Sequence, residues 1–375
     1  MNKSNKKNHR TQLIKKSKIV LKDSFKKYFA SHEIIRRGFI VLAAATFLYA
    51  ALMLNYSFRS INTKNVNVVI DIPTGASFWK SMEILDEAGL IKNRFFFYNL
   101  AVIKRARLKI RAGEYEINSL ITPWQMINKL MRGDIKRYFI LIHEDLSMRE
   151  IADILISKKL INKEMFFELA TDKEFLESLN IKAESIEGYL FPDTYEFNRS
   201  MNTRRIMKKM VETFWKKVTP EMIQQAKSMG LNEHQFVTFA SIVGKESATN
   251  FEKPLIAAVF YNRIKKGMRL QSDPTAVYNL DSFEGKVLRS HLKRKSPYNT
   301  YLIKGLPPGP IANPGLDSLK AVLNPEPVNY LYFVSKNDGT HYFSSSLDEH
   351  NQAVKQYISI KNKQIQQLKE DASDT

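Results

Sequence analysis

Apolar and polar positions follow several rhythms along this chain, and each rhythm predicts a different element. Gly38 to Leu54 is a run of seventeen residues without a charge, followed by Tyr56, Phe58 and Arg59. That is the pattern of a single membrane-crossing helix. Val66 to Ile72 alternates with the period of a strand, Pro73-Thr74-Gly75 turns the chain, and a helix is expected from about Ser77. The same signals return seventy residues later: Ile70, Ile72, Ser77, Ile84, Leu85, Leu90, Ile91, Phe96 and Phe97 are answered by Ile140, Ile142, Ser147, Ile154, Leu155, Leu160, Ile161, Phe166 and Phe167. Each copy reads as strand, serine N-cap, amphipathic helix and second helix start. Arg111 to Glu116 is a candidate closing strand for the first copy. A unit of this kind binds glycan or spaces domains.

Downstream the spacing predicts helices over 202–229, 233–248 and 251–266. In the second of these, Phe236, Phe239, Ala240, Ile242 and Val243 share one broad apolar face, and Glu246 falls inside it. A carboxyl group in that position is either a solvated helix end or a partly desolvated acid with a raised pKa, as a general acid for glycosidic cleavage requires. The final third is rich in Pro and Gly, which suits the wall of a site or a segment wrapped around a domain. Leu331 to Val334 and Thr340 to Phe343 predict a hairpin around Asn337-Asp338-Gly339, and a last helix from about Leu347 is expected to fade into a disordered tail from Lys369.

Composition narrows the classes. The chain of 375 residues is 44% hydrophobic and 26% charged, enough for a substantial core in two or three domains. It has no cysteine, which removes disulfides and thiolate sites, and its seven histidines show no metal-ligand spacing; no metal or cofactor is expected. The net charge of +20 invites a nucleic-acid reading, but half of it lies in residues 1–37, just before the apolar run. The remainder is spread over 338 residues, so the charge points to membrane orientation instead, with the N-terminus in the cytoplasm. No nucleic-acid partner is expected. Ser77-Phe78-Trp79-Lys80 matches an acyl-transfer motif, but Ser77 is better used as a cap.

Five ordered motifs carry a family resemblance: EGYLFPDTY at Glu187 to Tyr195, ASIVGKES at Ala240 to Ser247, NRIKKGMRLQSDPT at Asn262 to Thr275, SPYNTY at Ser296 to Tyr301, and GLPPGPIANPG at Gly305 to Gly315. On these the chain resembles the membrane-anchored endolytic murein transglycosylases with a YceG-like domain. The resemblance implies an α+β fold: a single N-terminal transmembrane helix, a small LysM-like α+β module, then a helix-rich α+β catalytic domain. The expected divisions are a basic cytoplasmic segment over 1–37, the membrane helix over 38–58, the LysM-like module over 66–133, the catalytic domain over 138–367 and a disordered tail over 368–375.

The resemblance also implies the site. The family's catalytic glutamate falls on Glu246, the residue the helical pattern selects, and Glu187, Asp193, Gln271, Asp273, Ser296, Tyr298 and Asn299 are motif positions for holding glycan. Tyr189, Phe191 and Tyr195 either offer rings suited to sugar faces or belong to a packed loop with an Asx-type turn after Pro192. The family usually has a second glutamate where this chain has Gly244, so the helix is expected to bend there. The expected activity is cleavage of the bond between N-acetylmuramic acid and N-acetylglucosamine within nascent strands, leaving 1,6-anhydro ends and limiting strand elongation. Its alternative is a membrane-tethered peptidoglycan-binding scaffold with weak catalysis. Expected partners are peptidoglycan strands, peptidoglycan synthases and, through one helix, the bacterial inner membrane, with the catalytic domain outside the cytoplasm.

Overall fold

Strand alternation at Val66 to Ile72 and again around Ile140 produces the same short architecture twice, once in each half of the molecule. The computed structural model describes residues 32–373 apart from 63, 248, 281 and 282, with side chains as far as residue 360. The chain divides into two compact units, residues 1–136 and 137–375. Most of the basic segment, residues 1–31, lies outside the described residues.

In the first unit, α1 (His32–Phe58) is 27 residues long and apolar enough to cross a membrane. It exceeds the run that predicted it by a polar first turn, in which Arg37 bonds Glu33 at 2.9 Å. Then follow β1 (Asn67–Ile72), α2 (Phe78–Glu87), α3 (Arg94–Ile103), β2 (Gly113–Asn118) and α4 (Pro123–Arg132). Ser77 caps α2 by accepting from Lys80 N, and Thr122 and Gln125 cap α4 reciprocally. β1 and β2 pair antiparallel with Ile70 opposite Tyr115. Ile70, Ile72, Tyr115 and Ile117 turn inward onto Leu85, Phe97, Leu100, Met126 and Leu130, while Asp71 and Glu116 point outward.

The second unit opens with β3 (Tyr138–Leu141), α5 (Met148–Ser157), α6 (Lys163–Thr171), α7 (Lys173–Ser178), β4 (Thr194–Phe197) and α8 (Thr203–Lys217). Here Ile140 stands opposite Tyr195. Ser147 caps α5 with Glu150, and Asn202 caps α8. The second helix begins one residue earlier than in the first copy, after Asn162 rather than at the position matching Asn93. Accordingly Phe97 is the buried ring of its pair in the first copy and Phe166 in the second.

The helix expected over 202–229 is two helices, α8 and α9 (Pro220–Ser228). Pro220 has no N–H for the ladder and holds Thr219 extended, and the Thr219 hydroxyl then caps α9. α10 (Glu233–Glu246), α11 (Lys253–Lys265), α12 (Asp273–Val277), α13 (Arg289–Leu292) and α14 (Leu316–Leu323) follow, then the hairpin β5 (Tyr332–Ser335) and β6 (His341–Ser344). α15 (Leu347–Ser373) continues through most of the tail expected to be disordered, where Leu368, Lys369, Glu370 and Ala372 favour helix. The described chain is thus helix-rich α+β, with its strands in three two-stranded antiparallel sheets.

Candidate active site

α10 is buried on all sides rather than along one face. Every residue from Phe236 to Gly244 is buried, including Thr238 and Ser241, whose hydroxyls donate to the carbonyls of His234 and Thr238. Ser241 also accepts the amide of Ile311 at 3.1 Å. With its middle locked in the core, the helix delivers its last residue, Glu246, half-buried to the wall of a cavity of about 930 Å³. Burial pushes the Glu246 carboxyl up to about 7; the Ser272 hydroxyl, which donates to its Oε1, the charge of Arg263 and the backbone amide of Asp273 act the other way, while the charge of Asp273 adds to the rise.

The segment beside Glu246 is pinned as firmly. Gln271 N donates to the carbonyl of Thr300, Ser272 N to the Thr300 hydroxyl at 2.9 Å, and the hydroxyls of Thr275 and Thr300 meet at 2.7 Å. Tyr301 Oη donates to Asp273 Oδ1 at 2.5 Å. The segments 271–275 and 299–301 therefore act as one rigid clamp, and Ser272 is aimed by it.

Glu187 lines the same cavity although it is 1% exposed. Its Oε1 accepts from Met148 N and Asn313 Nδ2, both at 2.8 Å, and its Oε2 from the Tyr278 hydroxyl at 3.0 Å. Burial raises its pKa to about 7 against the lowering effect of the Met148 and Tyr278 bonds. Asn313, fully buried, ties this loop together: its Oδ1 also accepts the amides of Gly188 and Leu190, and its Nδ2 donates to the carbonyl of Leu146.

Of the residues the sequence singled out, Glu246, Glu187 and Asp273 line one cavity. Tyr298 reaches it indirectly, by packing its ring 4.7 Å from that of Tyr278. The others are not among the lining residues. Asn299 is fully buried and spends its amide on the carbonyls of His291, Leu292 and Arg294. Ser296 accepts the amide of Tyr298, Asp193 caps its own strand through Thr194 N, and Gln271 is exposed at a left-handed turn. Tyr189, Phe191 and Tyr195 are at most 5% exposed, so their rings are core and offer no face to a sugar. Residues that sequence reasoning passed over are Ser272 and Asn313, which hold Glu246 and Glu187, and Tyr278, Arg149, Lys245 and Glu150, which line the cavity; Ser272, Asn313 and Lys245 lay inside quoted motifs, but nothing in their spacing marked them above their neighbours.

Gly244 does not bend the helix, since α10 runs unbroken to Glu246. The space is taken. A Cβ at Gly244 would stand 1.8 Å from Oδ1 of Asp145, a buried atom with no hydrogen bond of its own. Asp145 lies 3.8 Å from the buried ammonium of Lys253, which bonds Glu144 at 3.1 Å. Burial raises Asp145 to about 6, opposed by Lys253 and reinforced by Glu144. A carboxylate thus sits against this helical turn, supplied by the β3–α5 loop. Among the described residues no group of three or more His, Asp or Glu side chains is placed to hold a metal ion.

Comparison with known proteins places this geometry in context. A Bacillus subtilis protein named endolytic murein transglycosylase is 34% identical over 343 residues, covering 86% of this chain and 92% of that protein. A Streptococcus pneumoniae protein of the same name is 28% identical over 78% of this chain, which spans 59% of that longer relative. The crystal structure of a YceG-like protein from Listeria monocytogenes superposes with a TM-score of 0.54 at 31% identity, over 77% of this chain and 100% of that one. Residues 70–356 match the YceG-like family, and the chain belongs to it.

Proposed function

We propose that the protein is an endolytic peptidoglycan lytic transglycosylase that cleaves the bond between N-acetylmuramic acid and N-acetylglucosamine and leaves 1,6-anhydro ends. The name shared by the Bacillus and Streptococcus relatives supports the activity. The observation that carries the mechanism is the state of the four carboxyl groups lining the cavity. Glu150 is committed to the cap of α5, Glu187 to Met148, Asn313 and Tyr278, and Asp273 to Tyr301. Glu246 is held only from the neighbouring turn, by the Ser272 hydroxyl and the Asp273 backbone amide, and burial pushes it up to about 7 at the half-exposed cavity wall. It is the carboxyl group free to exchange a proton with a ligand.

A single acid of this kind suits an intramolecular route. Protonated Glu246 donates to the glycosidic oxygen as the C–O bond breaks. The resulting carboxylate, stabilised by the Ser272 hydroxyl, takes the proton of the muramoyl C6 hydroxyl as that oxygen closes on the anomeric carbon. No water is consumed, and the acid is restored. Of the proposed substrate-holding residues, Glu187 and Asp273 are the two that line the cavity; Asp193, Gln271, Ser296, Tyr298 and Asn299 would act by shaping the surrounding loops. The strand–helix–helix–strand order over residues 67–118 supports reading 66–133 as a LysM-like module, with 138–367 as the catalytic domain. α1 then anchors the chain in the inner membrane, residues 1–37 inside and the rest outside, where nascent strands and their synthases lie.

Digestion of purified murein by the full-length protein in detergent, read by mass spectrometry, tests this. Internal fragments ending in 1,6-anhydro-muramic acid are expected. Reducing ends alone would identify a hydrolase, and intact strands that bind the protein would favour the scaffold.

A further inference from the structure

We infer that α3 is a second membrane element: it lies in the outer headgroup layer beside α1, with Phe95, Val102 and Ile103 among lipid chains and Arg59 and Lys92 meeting anionic lipid headgroups. This rests on the reading of α1 as a membrane anchor. α3 is apolar on both sides apart from Asn99, which lies on the outer face and whose amide is spent on the Phe95 carbonyl at 2.8 Å. Phe97, Leu100 and Ala101 are buried in the first unit's core, yet the other side exposes Phe95 (63%), Val102 (43%) and Ile103 (64%) where a helix facing water would carry polar groups.

Its position beside α1 says what covers that side. The ring of Tyr49, inside the apolar run, packs 6.5 Å from Phe95 and 6.2 Å from Phe96. Tyr49 precedes Leu54, the end of the run, by five residues, or roughly 7 Å along a helix. That is the depth of an interfacial helix, whose apolar face sinks roughly 5–10 Å below the headgroups.

The rim has the matching chemistry. Phe58 packs 5.4 Å from Trp124, and the ammonium of Lys104 sits 3.2 Å from the centre of that ring, a pairing of aromatic and cation suited to the headgroup layer. Between the two helices lies a cleft of about 380 Å³ bordered by Leu52, Asn55, Arg59, Lys92 and Phe96. Neither Arg59 nor Lys92 has an ion-pair partner among the described residues. Two cations above an apolar wall fit a lipid phosphate with its chains below it.

The absence of cysteine gives a clean test, because single cysteines can be introduced and labelled without background. Full-length protein bearing Phe47→Cys, Phe95→Cys, Ile103→Cys or Asp71→Cys, each with an environment-sensitive fluorophore, is reconstituted in nanodiscs containing lipid brominated near the glycerol end of its chains. Labels at 47, 95 and 103 should be quenched and the label at Asp71, on the outer face of β1, should not. Quenching at 95 and 103 should be at least twofold stronger in phosphatidylglycerol than in phosphatidylcholine, and Arg59→Gln with Lys92→Gln should erase that difference. Labels at 95 and 103 no more quenched than the one at 71, or indifferent to headgroup charge, overturn the inference. An unquenched label at 47 would instead overturn the anchor itself.

Discussion

Residues 67–132 and 138–217 follow one plan, and the differences between them show how a site is added to a frame. Each runs strand, helix, helix, strand, helix, apart from the extra α7 of the second. Each opens its first helix with a serine cap, Ser77 or Ser147, and leaves it through a left-handed residue, Gly89 or Lys159. Each closes its sheet with a tyrosine whose hydroxyl donates to the carbonyl four residues upstream at 2.6 Å, Tyr115 to Arg111 and Tyr195 to Phe191. The paired positions Ile70 and Tyr115 are 45 residues apart, whereas Ile140 and Tyr195 are 55 apart. The longer path holds α7 and the loop that carries Glu187.

The turn after the first strand differs in the same sense. Gly75 takes the left-handed conformation in the first copy, at no steric cost. Its counterpart in the second is Asp145, at φ +63°. A side chain in that region is disfavoured, and here it places a carboxylate against Gly244 and near Lys253. Rigid frame and chemical insert are thus separable, and substitutions should separate them.

The largest effect is expected from Glu246→Gln, which keeps the shape but cannot deliver a proton. Production of anhydro ends should fall by about 10²–10⁴ with folding unchanged, and a normal rate would mean the acid has been misidentified. Next comes Asn313→Ala. It strips partners from Glu187 and from the amides of Gly188 and Leu190, so urea unfolding should show a loss of about 3 kcal/mol or more.

Protonation should follow. Burial raises Asp145 to about 6 and Glu187 and Glu246 to about 7, so between their ordinary values and these the folded chain binds more protons than the unfolded one. The contribution of these three groups to stability is therefore greatest below about pH 4, the ordinary carboxylate range, and is lost as pH rises through 6 to 7. Thermal midpoints measured across that range should fall, and less steeply for Glu187→Gln.

Gly244→Ala should cost about 1–3 kcal/mol through its clash with Asp145, and Asp145→Gly, the residue type the first copy uses at this turn, should restore part of that loss in denaturant titrations. The smallest changes are expected from Tyr115→Phe and Tyr195→Phe, each about 1 kcal/mol for the loss of one donating hydroxyl, which Tyr115 shares between the carbonyls of Arg111 and Leu130. Anhydro-end assays sharpen the contrast, since Tyr195→Phe should slow turnover while Tyr115→Phe leaves it unchanged.

Local physics made much of this legible from residues alone. The uncharged run before Leu54, the serine caps seventy residues apart, the Asn337-Asp338-Gly339 hairpin and the placement of Glu246 on an apolar helix all depend on neighbours within a turn or two. Spacing reports such contacts directly. Tertiary structure decided the rest. Tyr189, Phe191 and Tyr195 look the same in sequence whether their rings face a sugar or the core, and burial on all sides made them core. Asn299 and Asn313 sit in equally suggestive motifs; one holds three nearby carbonyls, the other reaches Glu187 across 126 positions. Asp145 fills the space beside Gly244, ninety-nine residues away along the chain. A hydrogen bond or a steric contact is made between atoms close in space, and only the folded chain specifies which distant residues those are.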